Sequence, residues 1–340
     1  MNAPTSASSP PPVRWGIVAT GGIAHTLAAE MLLVEDARIV AVSSRVRQRA
    51  QAFADEFGIP RAYGSYPELL ADDDVDVVYV ATPHAQHAEI VDATLDARKA
   101  VVCEKAFTTS LADTQRLAQK ARDLRVFCME AMWTRFAPLI VELRRIVADG
   151  GIGEVRGISA DLGFRARPDA KPRLWEPALG GGALLDVGIY PVAFAQMLLG
   201  SPQTLAAHGT LTADGVDAEA ALLLGWAGGA YAQLEASFLA QTANTARVVG
   251  SAGRIDVPAR FHQPRRLIHT RSDGSVQVYE DEPVGRGYVP MLRAVQQCLR
   301  DGRTETEQMP LSDSISVMAI LDDALRALGV SYPAPAPAVL

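Results

Sequence analysis

Residues 13–34 read VRWGIVATGGIAHTLAAEMLLV, and their interpretation decides the fold. Residues 13–20 are a short apolar run of the kind that forms a buried strand. Gly21 and Gly22 follow, and residues 23–34 carry apolar side chains at helical spacing. A strand, a glycine turn and a helix start together make a cradle for a pyrophosphate. Bare backbone amides approach the phosphates there, and the helix dipole favours negative charge. Against the pattern G-x-G-x-x-G/A, Gly21 fills the second position and Ala24 the last, while Ala19 replaces the first glycine. That replacement is tolerated while φ stays negative. So degenerate a turn also serves simply to join a strand to a helix, and its context must decide.

The context is an alternation. ARIVAVSS (37–44) reads as a second strand, and residues 45–58 as a helix stopped by Gly58 and Pro60. VDVVYVATP (75–83) is a strongly β-branched strand, residues 84–98 a helix, KAVVCEKA (99–106) a strand, residues 110–124 a helix and RVFCMEAMW (125–133) a strand. Strand and helix alternating through short joins predict a Rossmann-type, doubly wound parallel sheet over residues 13–132. After residue 150 the texture changes. Residues 154–164, 203–214, 218–238, 245–257, 265–271 and 275–280 read as strands with hairpin-like joins. Helices are expected at 183–200, 288–302 and 312–329. The second unit, 133–330, is therefore expected to be an α+β domain with a large, mostly antiparallel open sheet. Residues 1–12 and 331–340 are Pro-rich and are expected as an arm and a tail.

Composition bounds the function classes. The chain has 340 residues, enough for two domains. It is 49% hydrophobic and 21% charged, which excludes a mainly disordered chain, a collagen and a coiled coil. The formal charge of -7 gives no general attraction to phosphate backbones and argues against nucleic acid as a partner. No run approaches the length of a membrane span, and no signal-type apolar stretch opens the chain. The three cysteines, Cys103, Cys128 and Cys298, form no metal-ligand spacing and suit a reducing cytoplasm.

Three further stretches carry chemistry. Ser43-Ser44-Arg45, with Arg49 nearby, ends the second strand where an acid would bond the ribose hydroxyls of NAD. Hydroxyls and guanidinium groups there suit the 2′-phosphate of NADP, with NAD the other possibility. A solvated basic helix start is the plainer alternative. Glu104 and Lys105 follow a strand whose carboxyl end lines the ligand crevice of such a sheet. They form either a cationic site beside a nicotinamide or substrate hydroxyl, or an ordinary surface pair. Gly180-Gly181-Gly182 precede Asp186 and Tyr190, which a helix stacks on one face. That pair belongs either to a cleft or to a hydrogen-bonded core, and Pro191 is expected to kink or restart the helix. His84 and His87 lack a third metal ligand, so a helix-start or cofactor-loop role is expected and no metal.

Taken in order, RWGIVATGGIA (14–24), TPHAQH (82–87), CEKA (103–106), MEAMWTRF (129–136) and GGGALLDVGIYPV (180–192) resemble the Gfo/Idh/MocA oxidoreductases, most of all their dihydrodiol and D-xylose dehydrogenase branch. The resemblance covers residues 13–330. It implies a dehydrogenase that moves a hydride between NAD(P) and a hydroxyl or carbonyl of a sugar or cyclic diol. It implies Tyr190 as acid/base, Lys105 beside it and Asp186 as the positioning carboxylate. Thr20, Gly21, Gly22, Ile23, Ser44, Arg45, Arg49, Thr82, Pro83, His84, His87, Glu104 and Lys105 are the cofactor residues. Trp133, Arg135, Phe164, Asp186 and Tyr190 are the substrate pocket. Ala106 departs from the family pattern, which has proline after the lysine.

The remaining residues receive plainer readings. His262 and His269 either edge a substrate pocket or lie on strand surfaces, the latter being expected, with Asp72-Asp73-Asp74 in a solvated turn and Cys103 in packing. Arg165, Arg167, Lys171 and Arg173 on residues 165–178 either meet an anionic substrate or the cofactor phosphates or are solvated, and a solvated position is expected. Trp226 and Tyr231 read as sheet-packing residues. Residues 218–226 and 228–238 would leave a small, apolar sheet face, so a homodimer or homotetramer is expected. A non-catalytic nucleotide sensor of the same fold is the competing function, but it has no need of both Lys105 and Tyr190.

Overall fold

The computed structural model describes residues 11–333. The expected arm and tail lie almost wholly outside the described residues.

The first unit alternates as expected. It runs β1 (Val13–Val18), α1 (Gly22–Met31), β2 (Ala37–Ser43), α2 (Arg47–Phe57), β3 (Arg61–Tyr63), α3 (Tyr66–Leu70), β4 (Val77–Val80), α4 (His87–Asp96), β5 (Ala100–Cys103), α5 (Leu111–Leu124) and β6 (Cys128–Glu130). All six strands pair in parallel, in the order β3-β2-β1-β4-β5-β6. β4 and β5 are buried on both faces, which accounts for their unbroken apolar sequence. Local chemistry sets the helix ends. Gly58 closes α2 at φ 66°, and the Ser110 hydroxyl accepts the Asp113 N–H to open α5. Strand order reverses between β1 and β4, so a crevice opens at the carboxyl ends of these strands.

The chain then forms α6 (Pro138–Ala148), β7 (Val155–Gly163) and α7 (Ile189–Leu199). Seven strands follow: β8 (Thr204–Leu211), β9 (Asp217–Gly225), β10 (Tyr231–Ser237), β11 (Ala246–Gly250), β12 (Gly253–Val257), β13 (Arg266–Arg271) and β14 (Val276–Glu280). The sheet order is β14-β13-β12-β11-β7-β10-β9-β8, antiparallel throughout except where β7 meets β10. α7 packs between this sheet and the last helix, and it is apolar on every side because it is a core helix. Residues 177–199 are long and apolar enough to cross a membrane, but 78% of that window is buried within the protein.

Several expectations need correction. β3 and α6 were not foreseen. Helices α8 (Val289–Arg300) and α9 (Leu311–Leu328) of the second unit also pack against the first. Gln296 Nε2 of α8 donates to the Asp36 carbonyl at 2.8 Å, and α9 packs on α5 as well as α7. One continuous apolar core therefore runs from β1 into the second sheet. Asp72 is not simply solvated. It accepts from Arg61 Nε at 2.6 Å and from the Tyr63 hydroxyl at 3.1 Å, and only Asp73 and Asp74 stay exposed. His269 is buried in β13, bonded to the Gly151 carbonyl at 3.0 Å, because the turn after α6 covers that face. Trp226 is partly buried, its Nε1 donating to the Gly200 carbonyl, and Tyr231 is half-exposed.

Candidate active site

A cavity of about 1110 Å³ lies at the carboxyl ends of β1, β2, β4 and β5 and is closed on its far side by residues 171–174 and by α7. It is lined by Thr20, Gly21, Gly22, Ile23, Ser44, Arg45, Arg49, Thr82, Pro83, His84, Glu104, Lys105, Asp186 and Tyr190. The structure thus brings fourteen residues from distant motifs onto one surface.

The dinucleotide end is built for an anion. α1 begins at Gly22 with no side-chain cap and no acid in its first turn, so its terminal N–H groups are unclaimed by the protein. A Cβ added at Gly21 or Gly22 would meet nothing within 4 Å. The protein's own packing therefore needs neither glycine, whereas a phosphate approaching the backbone does. Ala19 has φ 79°, against the expectation of a negative angle. It holds the left-handed turn that a glycine would hold more easily. Arg45 and Arg49 are exposed at the β2 end, and neither forms an ion pair with a carboxylate among the described residues. Arg45 also reaches the Tyr66 hydroxyl, another lining residue. Thr82 Oγ1 and Gln86 Oε1 are buried without partners beside the cavity. Buried polar atoms of this kind seek a partner, and a bound dinucleotide supplies one.

The chemical end centres on Lys105. Cys103 closes β5, and Glu104 and Lys105 extend from its carboxyl end. The Tyr79 hydroxyl of β4 bonds the buried Glu104 carboxylate, whose other oxygen accepts the Lys105 N–H at 3.2 Å. The Lys105–Ala106 peptide is cis. His87 lies behind this loop rather than in the cavity, bonded to the carbonyls of Ala106 at 2.8 Å and Thr82 at 2.9 Å. His84 does line the cavity and spans the carbonyls of Gly180 and Lys105. Burial lowers the basicity of both imidazoles, so each is a neutral ring that donates to one of its two facing carbonyls and acts as a strut rather than an acid. Cys103 is fully buried and its thiol is pushed up by burial, which fits packing.

Lys105 Nζ donates to the Asp186 carbonyl at 2.5 Å, stands 3.9 Å from Asp186 Oδ1 and lies 4.8 Å from the centre of the Tyr190 ring. Residues Leu184–Gly188 wind as a π-turn, whose spacing assigns the N–H five residues on to each carbonyl. Asp186 lies in this turn, and its carbonyl accepts from Lys105 Nζ. The π-turn ends at Gly188 and α7 starts at Ile189 with Pro191 in its first turn, a restart of the helix of the kind expected. Arg173 NH2 completes the group at 3.1 Å from Asp186 Oδ1.

The charges agree with the geometry. Burial alone would raise the Asp186 carboxyl, but Lys105, Arg173 and His84 outweigh it and hold it below the usual carboxylate range. Burial opposes the charge on Lys105, but Tyr190, Asp186 and Glu104 raise it. Burial pushes the Tyr190 phenol up, and the opposing pull of Lys105 and of the Trp133 hydrogen bond only partly offsets this. Trp133 Nε1 donates to the Tyr190 oxygen at 3.0 Å, which leaves the phenolic proton free to point at a ligand.

Other pocket expectations change. Trp133 stacks on Tyr288 at 4.9 Å and holds Tyr190, so it forms the wall behind the phenol. Phe164 lies beneath Lys171, whose Nζ is 4.7 Å from its ring centre. Arg135 is not a pocket wall. It is 2% exposed and is consumed by Asp313, Gln196 and the Ala193 and Gln308 carbonyls, a clamp joining α7 to α9. Lys171, exposed as expected, and the partly buried Arg173 both line the cavity, whereas Arg165 is exposed and does not. Tyr66 and Tyr288 also line it, and nothing local in the sequence marks either one. His262 lies in a loop with its ring 5.4 Å from that of Tyr190, rather than on a strand surface. Among the described residues no group of three or more His, Cys, Asp or Glu could hold a metal ion.

Comparisons with known proteins agree with this geometry. The model described as "Oxidoreductase family, NAD-binding Rossmann fold" matches residues 13–132, and that for the "GFO/IDH/MocA C-terminal domain" matches residues 140–256. The trans-1,2-dihydrobenzene-1,2-diol dehydrogenase of Xenopus tropicalis is 36% identical over 329 residues, covering 94% of this chain and 99% of the relative. The human protein of that name is 35% identical over 333 residues, covering 94% and 98%. Among solved structures, the 3-ketoreductase KijD10 of Actinomadura kijaniata, in complex with NADP and TDP-benzene, superposes with a TM-score of 0.81 at 29% identity. That match covers 93% of this chain and 98% of the other. The aldose-aldose oxidoreductase of Caulobacter crescentus shares the fold, with a TM-score of 0.84 at 24% identity over 94% and 98%.

Proposed function

Because the chain belongs to the Gfo/Idh/MocA family of oxidoreductases, with an NAD-binding Rossmann domain, we propose that it is an NADP-dependent dehydrogenase acting on a cyclic diol or sugar. The observation that carries this reading is the Lys105–Asp186–Tyr190 group at the inner end of a dinucleotide-sized cavity. The nicotinamide, when bound, supplies or takes up the hydride. The chain's own residues manage the matching proton. In carbonyl reduction the Tyr190 hydroxyl gives its proton to the substrate oxygen. In alcohol oxidation the phenolate takes that proton back. Trp133 holds the oxygen in place, and the Lys105 ammonium offsets the phenolate charge as it forms. Asp186 keeps Lys105 charged and in position.

Support for NADP comes from the β2 end. Ser43 and Ser44 stand where an acid would bond the ribose of NAD, and Arg45 and Arg49 keep guanidinium groups that form no ion pair with a carboxylate among the described residues. The relatives named as dihydrodiol dehydrogenases and the NADP complex of KijD10 support the same choice of substrate and cofactor. We place the enzyme in the cytoplasm, where its three buried, free cysteines suit a reducing setting.

The second sheet supports a homodimer. Its open face carries a groove of about 590 Å³ lined by Ser159, Asp161, His208, Leu223, Gln233 and Glu235, with Leu223 50% exposed. The apolar positions Leu222, Leu224, Leu234 and Ala236 are buried within the chain, so the open face is more polar than expected, and the exposed Leu223 is its apolar contact for a second copy. Light scattering at micromolar concentration should give the mass of two chains. The mass of one would refute the dimer.

Two variants test the chemistry, with cofactor reduction followed at 340 nm across a panel of diols and aldoses. Tyr190→Phe should lose about 10²–10⁴-fold in kcat while binding the dinucleotide as before. In the wild type, the raised phenol makes oxidation speed up as pH rises into the alkaline range, and the residual activity of the Phe variant should lack that limb. Wild-type turnover in Tyr190→Phe removes Tyr190 from the mechanism. Arg45→Ala should raise the KM for NADP about tenfold or more and leave that for NAD unchanged, because a charge-assisted hydrogen bond contributes about 1.5–3 kcal/mol. Equal effects on both cofactors would refute the NADP assignment.

A further inference from the structure

Hydride chemistry does not account for Gly180, Gly181 and Gly182. Each stands where a different element touches bare backbone. A Cβ at Gly180, at φ 72°, would lie 2.8 Å from the His84 side chain. At Gly181 it would lie 2.7 Å from the Leu174 carbonyl oxygen. At Gly182, at φ 115°, it would lie 2.3 Å from Oδ1 of Asp217. The third contact is with a side chain from another part of the fold. Asp217 opens β9 and is 0% exposed. Its Oδ2 accepts the Leu184 N–H at 2.6 Å. Its Oδ1 has no partner. The Tyr332 hydroxyl closes the other side of the turn by donating to the Gly181 carbonyl at 2.7 Å.

The segment that begins at Leu184 has no side-chain cap of its own. Its first turn carries Asp186, and Tyr190 follows one turn later. The cap comes instead from a strand more than thirty residues downstream, through a gap that only glycine leaves open. Resting on the reading of Tyr190 given above, we propose that Asp217 is a positioning residue: its carboxyl fixes the first turn and so sets where Asp186 and Tyr190 stand relative to Lys105. Because the strand is rigid, this cap ties the acid/base group to the second sheet rather than to a mobile loop. Burial pushes the Asp217 carboxyl up to about 7, against the pull of the Leu184 and Ala183 N–H groups. The essential feature is therefore an oxygen acceptor, which asparagine also supplies.

The test compares Asp217→Ala, Asp217→Asn and Gly182→Ala with wild type. The last displaces the carboxyl without removing a polar group. Four quantities are read: kcat, dinucleotide Kd, melting temperature and amide hydrogen exchange over residues 183–190. Asp217→Ala and Gly182→Ala should each lose about tenfold or more in kcat, since a 1 Å misplacement at a reacting group costs about 10²-fold. Dinucleotide Kd should hold, and exchange at 183–190 should accelerate. Asp217→Asn should keep kcat within about threefold of wild type, as expected when the acceptor survives. A folded Asp217→Ala or Gly182→Ala protein with wild-type kcat overturns the proposal, and so does unchanged exchange in either. If one of the two fails to fold, the other decides. Wild-type turnover in Tyr190→Phe would instead sink the parent reading, while the exchange data would still report whether Asp217 holds the turn.

Discussion

The site depends on one buried ammonium. Lys105 stands where the end of β5 meets the π-turn before α7, and its Nζ is shared between the Asp186 carbonyl, the Asp186 carboxylate and the face of Tyr190. A charge withdrawn from water costs several kcal/mol unless partners replace the lost hydration. Here the partners come from the second structural unit and the charge from the first. The two units must therefore meet correctly for either to be stable at this point. The same meeting closes the cavity over the β1–β4 crevice.

The surrounding structure serves that contact. Tyr79 and Glu104 hold the Lys105 backbone from the sheet side, and His84 and His87 strut the loop from below. On the other side the π-turn carries Asp186, whose carbonyl accepts from Lys105. Trp133, stacked on Tyr288, fixes the phenol. Tyr288 is itself held through its backbone N–H by Glu30 of α1, so the dinucleotide helix and the aromatic wall share a buried carboxylate. Arg135 supplies rigidity behind the wall, which is why a residue from a pocket motif is buried away from the pocket.

Much of this was legible in the sequence, for a physical reason. The glycine turn, the β-branched strands and the alternating helices are local signals, and they fix a parallel sheet whose strand ends carry Gly21, Ser44, Thr82 and Lys105. The order of motifs then brought Asp186 and Tyr190 to the same crevice. What escaped depends on long-range placement. Nothing near Tyr288 marks it as a cavity residue, because Glu30, more than 250 residues earlier, holds its loop. Arg173 looks like one of several loop cations, and only its distance to Asp186 distinguishes it from Arg165. Ala19 was expected at negative φ because alanine prefers it, yet the turn geometry overrides that preference. His262, expected on a strand surface, falls in the loop before β13.

The most direct test of the central contact is the ionisation of Tyr190 itself. The tyrosinate absorbance near 295 nm can be titrated in the wild type and in Lys105→Met, each with its Tyr190→Phe counterpart subtracted. Burial raises the phenol and Lys105 pulls it down. Removing the ammonium should therefore move the Tyr190 transition to distinctly higher pH. An unchanged transition would mean that Lys105 does not act on Tyr190 and would contradict the account.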